Sequence, residues 1–159
     1  MKKFLIITLI CSMLICSFSA FATAENIIIN GKTATIPSDM GRICEMNDRT
    51  YVPIRFVMEY LGCVVNYQET KHSQNDKTQL SRTVTITDPK TNISYFMTVG
   101  DNKIFIISDQ ISTVQMDTTV FVNDDEGRMY VPIRFLAQAL GYSVDWDEET
   151  QTVSLTSAK

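Results

Sequence analysis

Few side chains in this sequence have chemical reach, and their spacing limits what they could do. His72 is the sole histidine. A Ser–His or Cys–His pair would have to be built on it, yet neither a third orienting group nor a nucleophile elbow accompanies it. The same count excludes a copper site made from several histidines. Met40, Cys44 and Met46 place three soft donors close together, which suits Cu(I). Against that, methionine is a common core filler, and Cys44 and Met46 alternate as the buried face of a strand would. Two acidic turns, Asp124-Asp125-Glu126 and Asp145 with Asp147-Glu148-Glu149, offer carboxylate oxygens. Calcium needs about six or more oxygens around one point, and EF-hand spacing is absent, so solvated turns account for these acids more simply. The expectation is a chain with no catalytic residue, no cofactor and no resident metal. Its alternative is a small extracytoplasmic metal-binding or redox protein using Cys44, His72 or the acidic turns.

The remaining polar groups of interest recur in pairs. Residues 49–67 read RTYVPIRFVMEYLGCVVNY and residues 128–146 read RMYVPIRFLAQALGYSVDW; aligned without gaps at an offset of 79, they agree at ten of nineteen positions. Chance does not produce this, so the segments share a structural origin. Arg49, Tyr51, Val52, Pro53, Arg55 and Gly62 return as Arg128, Tyr130, Val131, Pro132, Arg134 and Gly141. A functional reading makes the arginines ligand contacts. A structural one has them bonding carbonyls or stacking on aromatics while their stems cover a sheet, and recurrence in both copies favours it. Tyr51, Tyr130, Tyr67 and Trp146 would form a sugar-stacking surface if exposed and only core if buried, with burial the commoner state at strand positions.

These groups need elements to hold them. Tyr-Val is β-prone, and a residue before proline is pushed toward extended backbone. Pro53 and Pro132 then suit the first helical position. Ile54, Val57, Met58 and Leu61 make one apolar stripe at i, i+3, i+4 and i+7, repeated by Ile133, Leu136, Ala137 and Leu140. Gly62 and Gly141 fall where a left-handed residue would end each helix. Helices of about two and a half turns are marginal alone, so a sheet must hold them. Val64–Tyr67 and Val144–Trp146 read as strands, the latter returning through Thr152–Leu155 as a hairpin. In the first copy the return is Thr83–Thr87, which leaves Gln68–Arg82 as a polar insertion expected to be a mobile surface loop. Further strands are expected at Ile27–Ile29, Thr33–Ile36, Ile93–Val99, Lys103–Ser108 and Thr119–Val122, with Asn30-Gly31 as a tight hairpin turn. The fold class is α+β: antiparallel sheets with two short helices, one per pseudo-repeat.

Residues 1–24 read as an export signal. Met1-Lys2-Lys3 is followed by an apolar stretch from Phe4 to Ile15, too short for a span of about 20 residues. Small-x-small sites end at Ala22 and Ala24. The expected domain is then 25–159, with pseudo-repeats at about 26–90 and 93–156. Losing Lys2 and Lys3 takes the formal charge from −4 to −6. No basic patch interleaved with aromatics is present, so nucleic acid is not an expected partner. No second long apolar run follows, so no membrane span is expected after signal cleavage. Of the 4 cysteines, Cys11 and Cys16 leave with the signal. Cys44 and Cys63 remain, either as a disulfide in an oxidising compartment or as two apolar thiols.

Arg-x-Tyr-Val-Pro-Ile-Arg-Phe, a short helix, Leu-Gly and Val-x-Trp-Asp resemble the copper amine oxidase N-terminal-like domain family. These are also called stalk-domain proteins, and many are exported by Gram-positive bacteria. Asn30-Gly31-Lys32, Gly127-Arg128 and Gln151-Thr152-Val153 extend the likeness across residues 26–156. The resemblance implies a twisted antiparallel sheet wrapped on one short helix per unit. It also implies a peripheral module, since copper and the modified tyrosine of the oxidases belong to a separate catalytic domain. The expected function is a non-catalytic, secreted or cell-surface binding or scaffolding module. Its expected partner is a cell-wall polysaccharide or a secreted protein.

Overall fold

The computed structural model describes residues 26–74, 77–147 and 149–158, with backbone alone for 72–74, 77 and 78. Residues 1–24, read as an export signal, lie outside the described residues, and Cys11 and Cys16 with them. Glu148 and the side chain of His72 do too.

Turn chemistry sets the first strands. Asn30 and Gly31 both take positive φ (51° and 75°) between β1 (Asn26–Ile29) and β2 (Lys32–Ala34), the geometry that matches strand twist in a two-residue hairpin. Asn47 and Asp48 do the same (52° and 57°) between β3 (Cys44–Met46) and β4 (Arg49–Pro53). Helix α1 (Ile54–Tyr60) follows β4 directly. After it come β5 (Val64–Gln74), β6 (Lys77–Thr87), β7 (Ser94–Thr98), β8 (Lys103–Ile107), β9 (Ile111–Gln115), β10 (Phe121–Asn123) and β11 (Arg128–Pro132). Helix α2 (Ile133–Leu140) precedes β12 (Tyr142–Asp147) and β13 (Thr152–Ser157).

Both prolines sit one residue earlier than expected. Pro53 and Pro132 cap their helices with extended ψ of 115° and 123°, because each is still paired in a β-ladder, Pro53 with Tyr130 and Pro132 with Tyr51. Their missing N–H is harmless at either place. Gly62 ends α1 with φ +87°, its N–H bonding the Glu59 carbonyl at 2.9 Å while that of Cys63 reaches Met58 at 2.9 Å. That double bond pattern closes the helix with a left-handed residue.

Gln68–Arg82 is a correction to the sequence reading. It is the outer part of a regular ribbon paired from Val64↔Thr87 to Gln74↔Lys77. The neighbouring β7 reaches only as far as Thr83↔Thr98. Beyond that point Gln68, Glu69, Lys71, Gln79 and Leu80 are exposed. With no face to bury, the ribbon carries no apolar alternation, and polarity alone reads as loop. Strand β9 also went unrecognised, since Ile111, Ser112 and Thr113 are all exposed on this edge strand.

The strands form three sheets, ordered β12-β13-β1-β2, β10-β11-β4-β3 and β5-β6-β7-β8-β9. All pairings are antiparallel except β1 with β13, where Ile27↔Val153 and Ile29↔Leu155 run parallel. In the middle sheet the two copies of the motif pair with each other: Tyr130↔Pro53, Val131↔Val52 and Pro132↔Tyr51. Val52 and Val131 are equivalent under the offset of 79, so this register has an internal two-fold at the valine pair. Helix α1 packs on β4, β5 and β11, and α2 on β12, β9 and β11. A single apolar cluster joins both copies through Val52, Val57, Leu136, Val131, Ile27 and Leu155. No helix among the described residues is long and apolar enough to cross a membrane.

Val52 and Val131 are both fully buried. Val52→Ala and Val131→Ala should each lower the unfolding free energy by about 2 kcal/mol, from two lost methyls plus the void. The near-equality of the two losses, read from urea unfolding curves, checks the internal two-fold.

Candidate functional site

Around the valine pair, the recurring arginines and tyrosines reach across from one copy to the other. Arg49 forms a two-pronged ion pair with Asp117, Nε to Oδ1 at 2.9 Å, and this holds the Asp117 carboxyl below its ordinary range. Arg128 donates instead to the Asp39 carbonyl, and to that of Gly127 at 3.4 Å. Tyr51 Oη and Thr118 Oγ1 share a hydrogen bond of 2.7 Å. Tyr130 donates a short hydrogen bond to Glu126 and accepts the Arg42 N–H at 3.3 Å. Phe121 fills the space between the tyrosines, stacked on Tyr130 and edge-on to Tyr51, with both centroids at 5.2 Å. Gly41 leaves room for the Tyr130 hydroxyl, because a Cβ there would stand 2.7 Å from it.

The soft donors do not share one environment. Met40 packs against the core while Met46 is 41% exposed, so Met46 does not lie on a buried strand face. Cys44 and Cys63 are both free and half-buried. Cys44 lies across from Tyr51, with Glu126 and Arg42 near it, and Cys63 has Asp88 and Lys90 for neighbours. Burial first, then the nearby carboxylate, raises both thiol pKa values, which makes each a poor thiolate nucleophile. Among the described residues no three His, Cys, Asp or Glu side chains gather as a metal site would require.

The four aromatics divide evenly. Tyr51 and Tyr130 are buried at 0% and 1% exposure, whereas Tyr67 and Trp146 are 45% and 39% exposed. Trp146 stands in β12 opposite Val153. It borders a groove of about 700 Å³ that Arg134, Glu45, Asp48, Arg49 and Gln151 also line.

The groove depends on a difference between the two helices. Arg55 of α1 is held by Glu59 one turn on, at 2.9 Å, and by the Val65 carbonyl at 3.2 Å. The residue one turn after Arg134 is Gln138. Arg134 is exposed and feels Asp117 only through space. Its guanidinium, five donors in a plane, is therefore available beside an open indole. An amphipathic ring, a planar cation and carboxylate acceptors along one concavity can hold a hydroxyl-rich ring. They do not make a nucleophile with a general base. The sequence marked Arg134 by recurrence and Trp146 as a stacking candidate if exposed, and held no sign of Glu45 or Asp48. The signal for the groove was the reverse, a mismatch between copies, Glu59 against Gln138.

Burial first, then the hydrogen bond to Glu126, pushes the Tyr130 pKa up to about 12. A phenol that titrates near 10 when unfolded then favours the fold fully below pH 10, and that contribution fades as pH climbs toward 12. Tyr130→Phe should cost about 1–2 kcal/mol at pH 7, with the gap to the parent narrowing above pH 10. Denaturant unfolding at pH 7, 10 and 11.5 measures it.

The family model described as the copper amine oxidase N-terminal domain matches twice, over residues 21–76 and 73–155. No curated protein and no solved structure matches the chain.

Proposed function

The chain belongs to the copper amine oxidase N-terminal domain family, and from that premise we propose that it is an exported, non-catalytic module that holds cell-wall polysaccharide in the groove beside Trp146. The family's N-terminal domain is non-catalytic in itself. The observation that carries the reading is a 39% exposed indole and the exposed guanidinium of Arg134 lining one groove. The C–H face of a sugar ring is apolar and lies flat on an indole, while its rim of hydroxyls needs donors and acceptors in turn. Arg134 donates, and Glu45 and Asp48 accept. The leader motif at 1–24 supports delivery outside the cytoplasm. A rival partner, a secreted protein, would use the β9 edge, where Ile111 is 73% exposed.

The test is retention of purified mature protein on isolated cell wall and on a secreted-protein extract. The expected result is retention on wall polysaccharide. A folded Trp146→Ala variant should be retained about tenfold more weakly, the equivalent of about 1.4 kcal/mol. No retention on wall, or capture by a protein alone, overturns the proposal.

A further inference from the structure

We infer that the molecule is bivalent: a second groove, related to the first by the internal two-fold, is a second polysaccharide site with Tyr67 in place of Trp146. This rests on the reading of the first groove as a polysaccharide site. Pro53, Ile54, Arg55, Val65 and Tyr67 line a concavity of about 410 Å³. The residues 79 further on, Pro132, Ile133, Arg134, Val144 and Trp146, line the first groove. Strand pairing extends the match. Tyr67 lies opposite Val84 as Trp146 lies opposite Val153, which puts Arg82 where the first groove has Gln151. Each groove is also crossed by the motif arginine of the other copy, Arg128 in the second and Arg49 in the first.

The two sites differ in charge, and this sets their ligand preference. In the second groove Arg82 is engaged by Asp124 at 2.8 Å and Glu69 at 3.4 Å, and Arg55 by Glu59 at 2.9 Å. Arg82 and Arg55 are thus neutralised in place and Arg128 is held by the Asp39 and Gly127 carbonyls, which leaves the 45% exposed phenol ring of Tyr67 as the open contact. That suits a neutral sugar ring, held more weakly than in the first groove, where Arg134 is free. Two sites turned about a two-fold hold their strands in opposite senses. One chain can therefore bridge two glycan strands, and avidity follows without further contacts.

Trp146 is the only tryptophan, so its fluorescence reports on the first groove alone, while equilibrium dialysis counts both sites. The probe is muramidase-released wall glycan fragments, titrated into the mature protein. The expected result is two fragments per chain, with the Trp146 signal saturating at concentrations about threefold or more below those that fill the second site. Tyr67→Ala and Tyr67→Ser should each reduce the count from two to one and leave the Trp146 titration unchanged. Trp146→Ala should leave one weak site. One fragment per chain with a full Trp146 response overturns bivalence and leaves the first site standing. A count of zero with no Trp146 response overturns both.

Discussion

The constraint on which the structure depends is the antiparallel pairing of the two Tyr-Val-Pro segments about Val52 and Val131. A short helix hangs from each strand, and neither helix has the length to persist without a partner surface. The central ladder therefore does more than join two halves. It brings α1 against β11 and the start of α2 near β4, so that each helix is buried partly by the other copy. Arg49, Arg128, Tyr51 and Tyr130 brace that contact, each tied to the opposite copy, and their recurrence follows from the symmetry of the seam they hold.

The outer sheets show the same interdependence at the chain ends. Strand β1 does not remain with the first copy but runs parallel to β13, burying Ile27 and Ile29 against Val153 and Leu155. The first copy's ribbon, β5 and β6, is extended by β7, β8 and β9, which precede the second motif. Each outer sheet thus draws strands from both halves of the sequence, and the apolar cluster is continuous across them. Antiparallel neighbours dominate because most connections are hairpins. The one parallel pair arises where the two ends of the described chain meet, with no turn to impose direction.

Symmetry gives the frame, and departures from it give the surface its character. Where the second copy keeps the arginine but replaces Glu59 by Gln138, a guanidinium that is tied down in α1 becomes available in α2. Where Arg82 is replaced by Gln151, an ion-paired wall becomes a neutral one. Cys44 occupies, across from Tyr51, the place that Phe121 occupies across from Tyr130. That accounts for a half-buried thiol with a raised pKa as space-filling on an otherwise aromatic seam. The helix arginines at equivalent positions therefore have different partners in the two copies, Arg55 tied to Glu59 and Arg134 not.

The sequence by itself determined the two helices, the glycines that end them, the Asn-Gly hairpin and the α+β class, because these follow from local propensity and a period read over a few residues. It also determined that Arg49, Tyr51 and their counterparts matter in pairs, and the motif's resemblance to its family. Tertiary structure decided the rest. Gln68–Arg82 is a ribbon because pairing satisfies its backbone even where no face is buried, which polarity could not reveal. Tyr51 and Tyr130 are buried whereas Tyr67 and Trp146 are open, although all four sit in strands and Tyr67 and Trp146 lie opposite the buried Val84 and Val153, so strand position and face alone do not decide exposure. The grooves arise where β-strands of one copy meet the arginine of the other. Contacts between residues some 80 positions apart carry no local signal, so they could be found only once the chain was folded.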